Sequence, residues 1–231
     1  MKNEIQVLGN DKQIYDVADF VAAGKSRHDA IGIVFGTPII GLRVLAFDSS
    51  EEQWGKTDRV LTESHNEAQA VQILCGLEDT KRIVKEQTNL DKLTAAKWCW
   101  SYQKGDFQWY LPSVMELGAL FLVRDQVNDA MKQLGCDSDG LLPTENSDET
   151  WVWSSSESSQ GYSWYVNFGG GGFNGGTSKL DSIVVRAVAL LSHTLFPIQG
   201  PSNDEKISDE KLLTILRNRG YSGELTKTLK I

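Results

Sequence analysis

Residues 151–190, WVWSSSESSQGYSWYVNFGGGGFNGGTSKLDSIVVRAVAL, constrain the fold more than any other stretch of the chain. They hold seven aromatics, a serine run and a glycine run. Trp164, Val166 and Phe168 alternate with Tyr165 and Asn167, the period of a half-buried strand, and Ile183 to Leu190 is a second β run. Six glycines between Gly169 and Gly176 predict a loop rather than a strand interior. The ends thus read as strands and the middle as exposed loop, a rigid frame with an adaptable surface. Tyr mixed with Ser, Gly and Asn is the composition of antibody-like binding surfaces: the aromatic supplies area at low entropic cost and the small polar residues adapt. Tyr162, Tyr165 and Phe173 border the Ser and Gly stretches and are binding candidates for that reason. An ordinary strand–loop edge accounts for them equally well.

Elsewhere the punctuation is clearer than the pattern. In 1–27, IYDVADFVAAG predicts a strand and a short turn of helix, and the whole stretch reads as an N-terminal arm. Residues 30–48, broken at Gly36-Thr37-Pro38, predict a hairpin or two successive strands. Ala70, Ile73, Leu74 and Leu77 recur at helical spacing and predict a helix over 66–87, with a second short one over 91–103. Ser113 followed by Glu116 is a capping box. Leu117, Leu120, Phe121, Val127 and Met131 continue a helical stripe to Gly135, placed for a left-handed cap. One helix over 114–134 follows. Residues 197–208 read as a linker, followed by a helix over roughly 209–218 and a last strand, a short docking element. The expected division is arm 1–27, domain 28–196, and linker with docking element 197–231. Helices segregated between strand runs predict α+β.

Several chemistries are argued against. Lys and Arg total 23 against 31 Asp and Glu, a net charge of −8 with no long basic run, so nucleic-acid binding is not expected. No segment approaches the ~20 apolar residues of a membrane span. The N-terminus MKNEIQVLGNDKQIYD has no apolar signal core, so no secretion signal is expected. Cys75, Cys99 and Cys136 form no CxxC or zinc pattern and read as reduced, structural thiols. Gly170, Gly172 and Gly175 match GxGxxG, but TSKLDSIVV after them is β-like, and no helix N-terminus follows to receive a pyrophosphate. His28, His65 and His193 lie far apart, without metal-ligand spacing. Ser154-Ser155-Ser156-Glu157 lacks a nucleophile elbow and reads as a loop whose hydroxyls satisfy backbone groups. Asp137, Asp139, Glu145, Asp148 and Glu149 form an acidic loop without calcium-loop spacing. No cofactor or metal is expected. Most of Trp98, Trp100, Trp109, Trp151, Trp153 and Trp164 are expected in the core.

Trp109-Tyr110-Leu111-Pro112-Ser113 with Glu116-Leu117, then Trp153-Ser154-Ser155-Ser156-Glu157, then Trp164-Tyr165-Val166-Asn167-Phe168, then Val185-Arg186-Ala187-Val188 resemble a bacterial and phage C-type-lectin-fold family. That fold is shared with formylglycine-generating enzymes and with the variable proteins of diversity-generating retroelements. The resemblance covers about 109–188 and implies an α+β, C-type-lectin-like fold of antiparallel strands with two main helices and long irregular loops. The C-terminal stretch is most similar to a retroelement variable region, in which adenines of Asn codons are mutated. By register, that likeness implies changeable positions at Ser159, Gly161, Tyr162, Tyr165, Phe173, Asn174, Leu180, Asp181, Ile183 and Val184. The residue types at all ten positions are reachable from an Asn codon by adenine changes. The glycine run is one residue longer than the family pattern.

Three functions compete. The first is a receptor-recognition protein of a phage or mobile element, binding protein or glycan through 158–184. The second is a structural or assembly protein in which 201–231 docks to a partner. The third is a formylglycine-generating-type enzyme, a likeness that implies a pair of copper-binding cysteines near the last strands; no cysteine follows Cys136. The EPN, QPD and WND motifs of calcium-dependent sugar lectins are missing, so calcium-mediated sugar binding is not expected. Arg186 is expected to be structural. The expected product is a non-enzymatic binder made in a bacterial cytoplasm, with a virion as one destination.

Overall fold

The computed structural model describes residues 5–56, 58–63, 66–88, 92–144 and 150–191. Its strands are β1 (Gln6–Gly9), β2 (Ile14–Asp16), β3 (Ala30–Thr37), β4 (Gly41–Gln53), β5 (Trp109–Tyr110), β6 (Trp151–Glu157), β7 (Tyr162–Asn167), β8 (Gly172–Ser178) and β9 (Ser182–Leu190). They form one sheet in the order β2-β1-β3-β4-β9-β6-β7-β8, with β5 also paired to β9. All the pairings are antiparallel except β6 with β9. The helices are α1 (Val17–Ala22), α2 (Glu67–Ala70), α3 (Leu77–Glu86), α4 (Ala95–Ser101), α5 (Val114–Leu122) and α6 (Arg124–Gln133). The class is α+β.

β9 lies between β4 and β6, where Val185 to Ala189 are all buried. A central strand covered on both faces needs a near-continuous apolar run, which VVRAVA supplies except at Arg186. α5 packs on β3, β6 and β7, and α6 on β3; α4 packs on β4, β5 and β9. The main core joins Leu117, Leu120, Val127 and Met131 to Phe35, Leu45, Val152, Val166 and Val188.

Several expectations are corrected. Residues 6–22 are not a separate arm: β1 pairs with both β2 and β3, and Val7 and Leu8 are fully buried. The stretch 66–87 breaks into α2 and α3. Gly76 sits against the 111–113 backbone, where an added Cβ would lie 2.2 Å from Leu111 O, and its N–H donates to Glu116 Oε2 at 2.9 Å. The helix over 114–134 is interrupted at Val123. The apolar stripe runs unbroken through the interruption, so periodicity alone reads one helix. Ser154, Ser155 and Ser156 are a buried stretch of β6 rather than a loop. The glycine loop gives way to strand β8 at Gly172, because pairing with β7 overrides the glycine penalty. The capping box and the Gly135 cap form as expected, Gly135 at φ +81°.

The chain divides into Met1–Leu191 and Ser192–Ile231. The linker and docking element expected at 197–231 lie outside the described residues.

Candidate ligand-binding surface

The loops between β6 and β7 and between β8 and β9 are tied to one buried ion pair. Lys179 Nζ meets Glu157 Oε1 at 2.5 Å, with both side chains fully buried. Glu157 Oε2 accepts from Leu61 N at 2.8 Å, Thr62 N at 2.5 Å and Thr62 Oγ1 at 2.7 Å. Lys179 Nζ also donates to Gln160 O at 2.8 Å and stands 4.7 Å from the Trp54 ring centroid. Lys179 N donates to Gly161 O, and Gly55 N to Lys179 O. Trp54 Nε1 donates to Ser154 O at 2.8 Å. Three stretches, 54–62, 154–161 and Lys179, are thus fastened beneath the surface. Burial pushes the Lys179 ammonium pKa down, and the Glu157 carboxylate counters that.

Above this anchor lie the candidate positions. Ser159, Tyr162, Phe173, Asn174, Leu180 and Asp181 are exposed; Gly161, Ile183 and Val184 are half-buried. Tyr162 pairs with Ser178, and Lys179 N binds Gly161 O, so Ser159, Gly161, Tyr162, Leu180 and Asp181 gather at one end of the sheet. Ile183 and Val184 continue from that end along β9, opposite Glu52 and Glu51 of β4. Phe173 and Asn174 lie on β8, at the sheet edge. Tyr165 does not belong to the surface. It is 5% exposed and stacks on Trp151, ring centroids 4.5 Å apart. Tyr165 shares a face of β7 with buried Ser163, and Val166 on the other face is buried too, so this part of the strand is covered on both sides.

β8 lies along α5. Phe173 covers Gly118, where an added Cβ would come within 2.6 Å of its ring, and Gly171 sits on Phe121. Beside Phe173 is an apolar cleft of about 120 Å³ lined by Ala70, Val71, Val114, Met115 and Trp164, with Glu67 at its rim. Phe173, at 54% exposed, and Val71 leave apolar surface at its mouth. The indole Nε1 of Trp164 is buried and has no hydrogen-bond partner among the described residues.

Other polar centres are structural. Glu116 Oε1 accepts from Tyr110 Oη at 2.7 Å and from Arg43 Nε, while its Oε2 takes Ser113 N and Gly76 N. Arg186, fully enclosed, donates to Phe47 O and Leu141 O, as expected of a structural residue; burial pulls its pKa to about 10. The serine hydroxyls partly satisfy backbone groups: Ser154 Oγ donates to Trp164 O and Ser156 Oγ accepts from Val114 N. Trp54, Trp109 and Trp153 are fully buried, while Trp98, Trp100, Trp151 and Trp164 are half-buried. His65, His193, Glu145, Asp148 and Glu149 lie outside the described residues. No described helix is long and apolar enough to cross a membrane. Sequence reasoning quoted Glu157 only as part of a motif and missed Lys179 altogether, since nothing local marks its partner 22 residues away.

No family model and no curated protein matches this chain. Among solved structures it is similar to the crystal structure of a fimbrial protein from Bacteroides ovatus ATCC 8483, with a TM-score of 0.58 and 13% identity. The match covers 83% of this chain and 49% of that one, so this chain spans about half the length of its structural neighbour. The likeness is one of fold.

Proposed function

We propose that this chain is a non-enzymatic recognition protein with a C-type-lectin-like scaffold, whose displayed residues between 158 and 184 bind a protein or glycan receptor and are diversified by a retroelement of a phage or mobile element. One observation carries the reading. Candidate positions on the surface interleave with a buried frame: Glu157, Ser163, Thr177, Lys179 and Val185 are buried, while Ser159, Tyr162, Asn174, Leu180 and Asp181 are exposed. A frame tied below its loops lets surface residues change without altering the fold, and a few aromatic anchors such as Tyr162 and Phe173 then supply most of the affinity. Deep sequencing of the gene from a population of its source tests this. Variation at the codons for Ser159, Tyr162, Phe173, Asn174, Leu180 and Asp181, with those for Trp153, Glu157, Lys179 and Arg186 constant, is the expected result. Variation spread evenly, or absent, rejects diversification.

The second reading is a fixed assembly subunit. The description of the structural neighbour as a fimbrial protein favours it over an enzyme. It predicts an invariant gene and a partner captured through residues 201–231.

A further inference from the structure

A second cavity lies at the other side of the Leu180 turn. It measures about 330 Å³ and is lined by Gln53, Gly55, Lys56, Asp58, Lys92, Thr94 and Leu180. Its floor is built rather than incidental. Gly55 has φ +142°, and a Cβ there would overlap the Gln87 side chain at 1.9 Å. Gln87, fully buried, is held by Thr94 Oγ1 at 2.7 Å and donates to Trp54 O at 3.4 Å. Its rim is also held: Gln53 Nε2 donates to Leu180 O at 2.5 Å.

The charges on the wall are unbalanced. Lys56 Nζ donates to the backbone oxygen of Glu86, whose carboxylate is taken by Arg59. Among the described residues neither Lys56, Lys92 nor Asp58 forms an ion pair. On a molecule of net charge −8, two ammonium groups against one carboxylate leave this wall net positive and favour an anion. The Asp58 carboxylate beside them disfavours a dianion such as phosphate and accepts hydrogen bonds from hydroxyls. The volume falls at the lower end for small-molecule sites and suits one ring. We infer that this cavity binds a carboxylate-bearing sugar unit of the uronic acid type, without calcium. Its carboxylate lies between Lys56 and Lys92, its hydroxyls face Asp58 and Gln53, and a ring face rests on Leu180. Six of the seven lining residues lie outside the displayed set, so the inference does not depend on diversification of the gene; only Leu180 is shared.

The test is an amide NMR titration of the full chain with glucuronic acid, with glucose and acetate as controls. Saturable shifts are expected at Gln53, Gly55, Lys56 and Thr94, with a Kd on the order of 1 mM, ordinary for one sugar-sized ligand. Lys92→Gln should weaken binding at least fivefold with the remaining spectrum unchanged, and Lys92→Arg should restore most of it. Equal shifts with glucose, or no shifts at all, overturn the inference. Full reproduction of the shifts by acetate reduces the cavity to an adventitious anion site and also overturns it. Binding of a polyglutamate peptide but not of glucuronate reassigns the cavity to acidic proteins and rejects the sugar. Codon variation at Tyr162 and Phe173 is measured separately, so failure here leaves the recognition reading standing.

Discussion

Glu157 and Lys179 illustrate how much a single contact can organise. A buried pair gains little over a well-packed apolar pair, but removing one partner leaves an uncompensated charge. Lys179→Met should therefore cost about 3–5 kcal/mol in urea unfolding. It should also speed amide exchange at 158–162, whose backbone Lys179 holds. The double substitution Glu157→Leu/Lys179→Met should recover part of the stability; recovery of none would mean that the pair itself, rather than the stranded charge, dominates. Asp79 presents the opposite case. Its carboxyl is buried, its Oδ2 has no hydrogen-bond partner among the described residues, and burial raises its pKa from 3.8 to about 7. Glu157, Glu63 and Glu78 push the same way and Arg82 opposes them. The unfolded carboxyl ionises near pH 4 and the folded one near pH 7, so stability falls as pH rises through that window. Asp79→Asn should leave stability at pH 4 nearly unchanged and raise it at pH 8 by on the order of 2–4 kcal/mol. Urea midpoints at the two pH values decide this, and an equal effect at both rejects the titration.

At the scale of elements, the contact between β8 and α5 joins the glycine-rich strand to the helix the capping box starts. Gly118→Ala adds a Cβ that meets only the end of the Phe173 ring. Phe173 can swing outward, so thermal stability should stay within about 1 kcal/mol of the parent, helped by alanine's helix propensity. The cleft beside Phe173 should change, measured as shifted amide signals of Met115 and Val71. Gly76→Ala is the contrast: its Cβ meets Leu111 O and Ser113 N, backbone that cannot step aside. A loss of about 1–3 kcal/mol is expected from this overpacking. Helix starts and caps were legible because Ser113, Glu116 and Gly135 act within a few residues. The break at Val123 and the strand at Gly172–Ser178 were not, because one leaves the apolar stripe intact and the other forms only by pairing with β7.

For the whole molecule, the sheet order brings Gln53, Ser159, Tyr162 and Leu180 to one end although they span 128 positions of the chain. Removing residues 201–231 should leave the thermal transition of the remaining chain in place. A collapse of that transition would reject a separable docking element.

The residues alone determined the α+β class, the capped start of α5, and the strands β7 and β9. Each depends on periodicity or on contacts between near neighbours. Only the tertiary structure decided that 6–22 completes the sheet, that Tyr165 turns inward onto Trp151, and that Ser154 to Glu157 is buried strand. It alone showed that Glu116 serves Arg43 and Gly76 as well as its own helix, and that Glu157 meets Lys179. The reason is physical: burial and charge pairing depend on which distant segments the sheet sets side by side, and no local pattern records the partner.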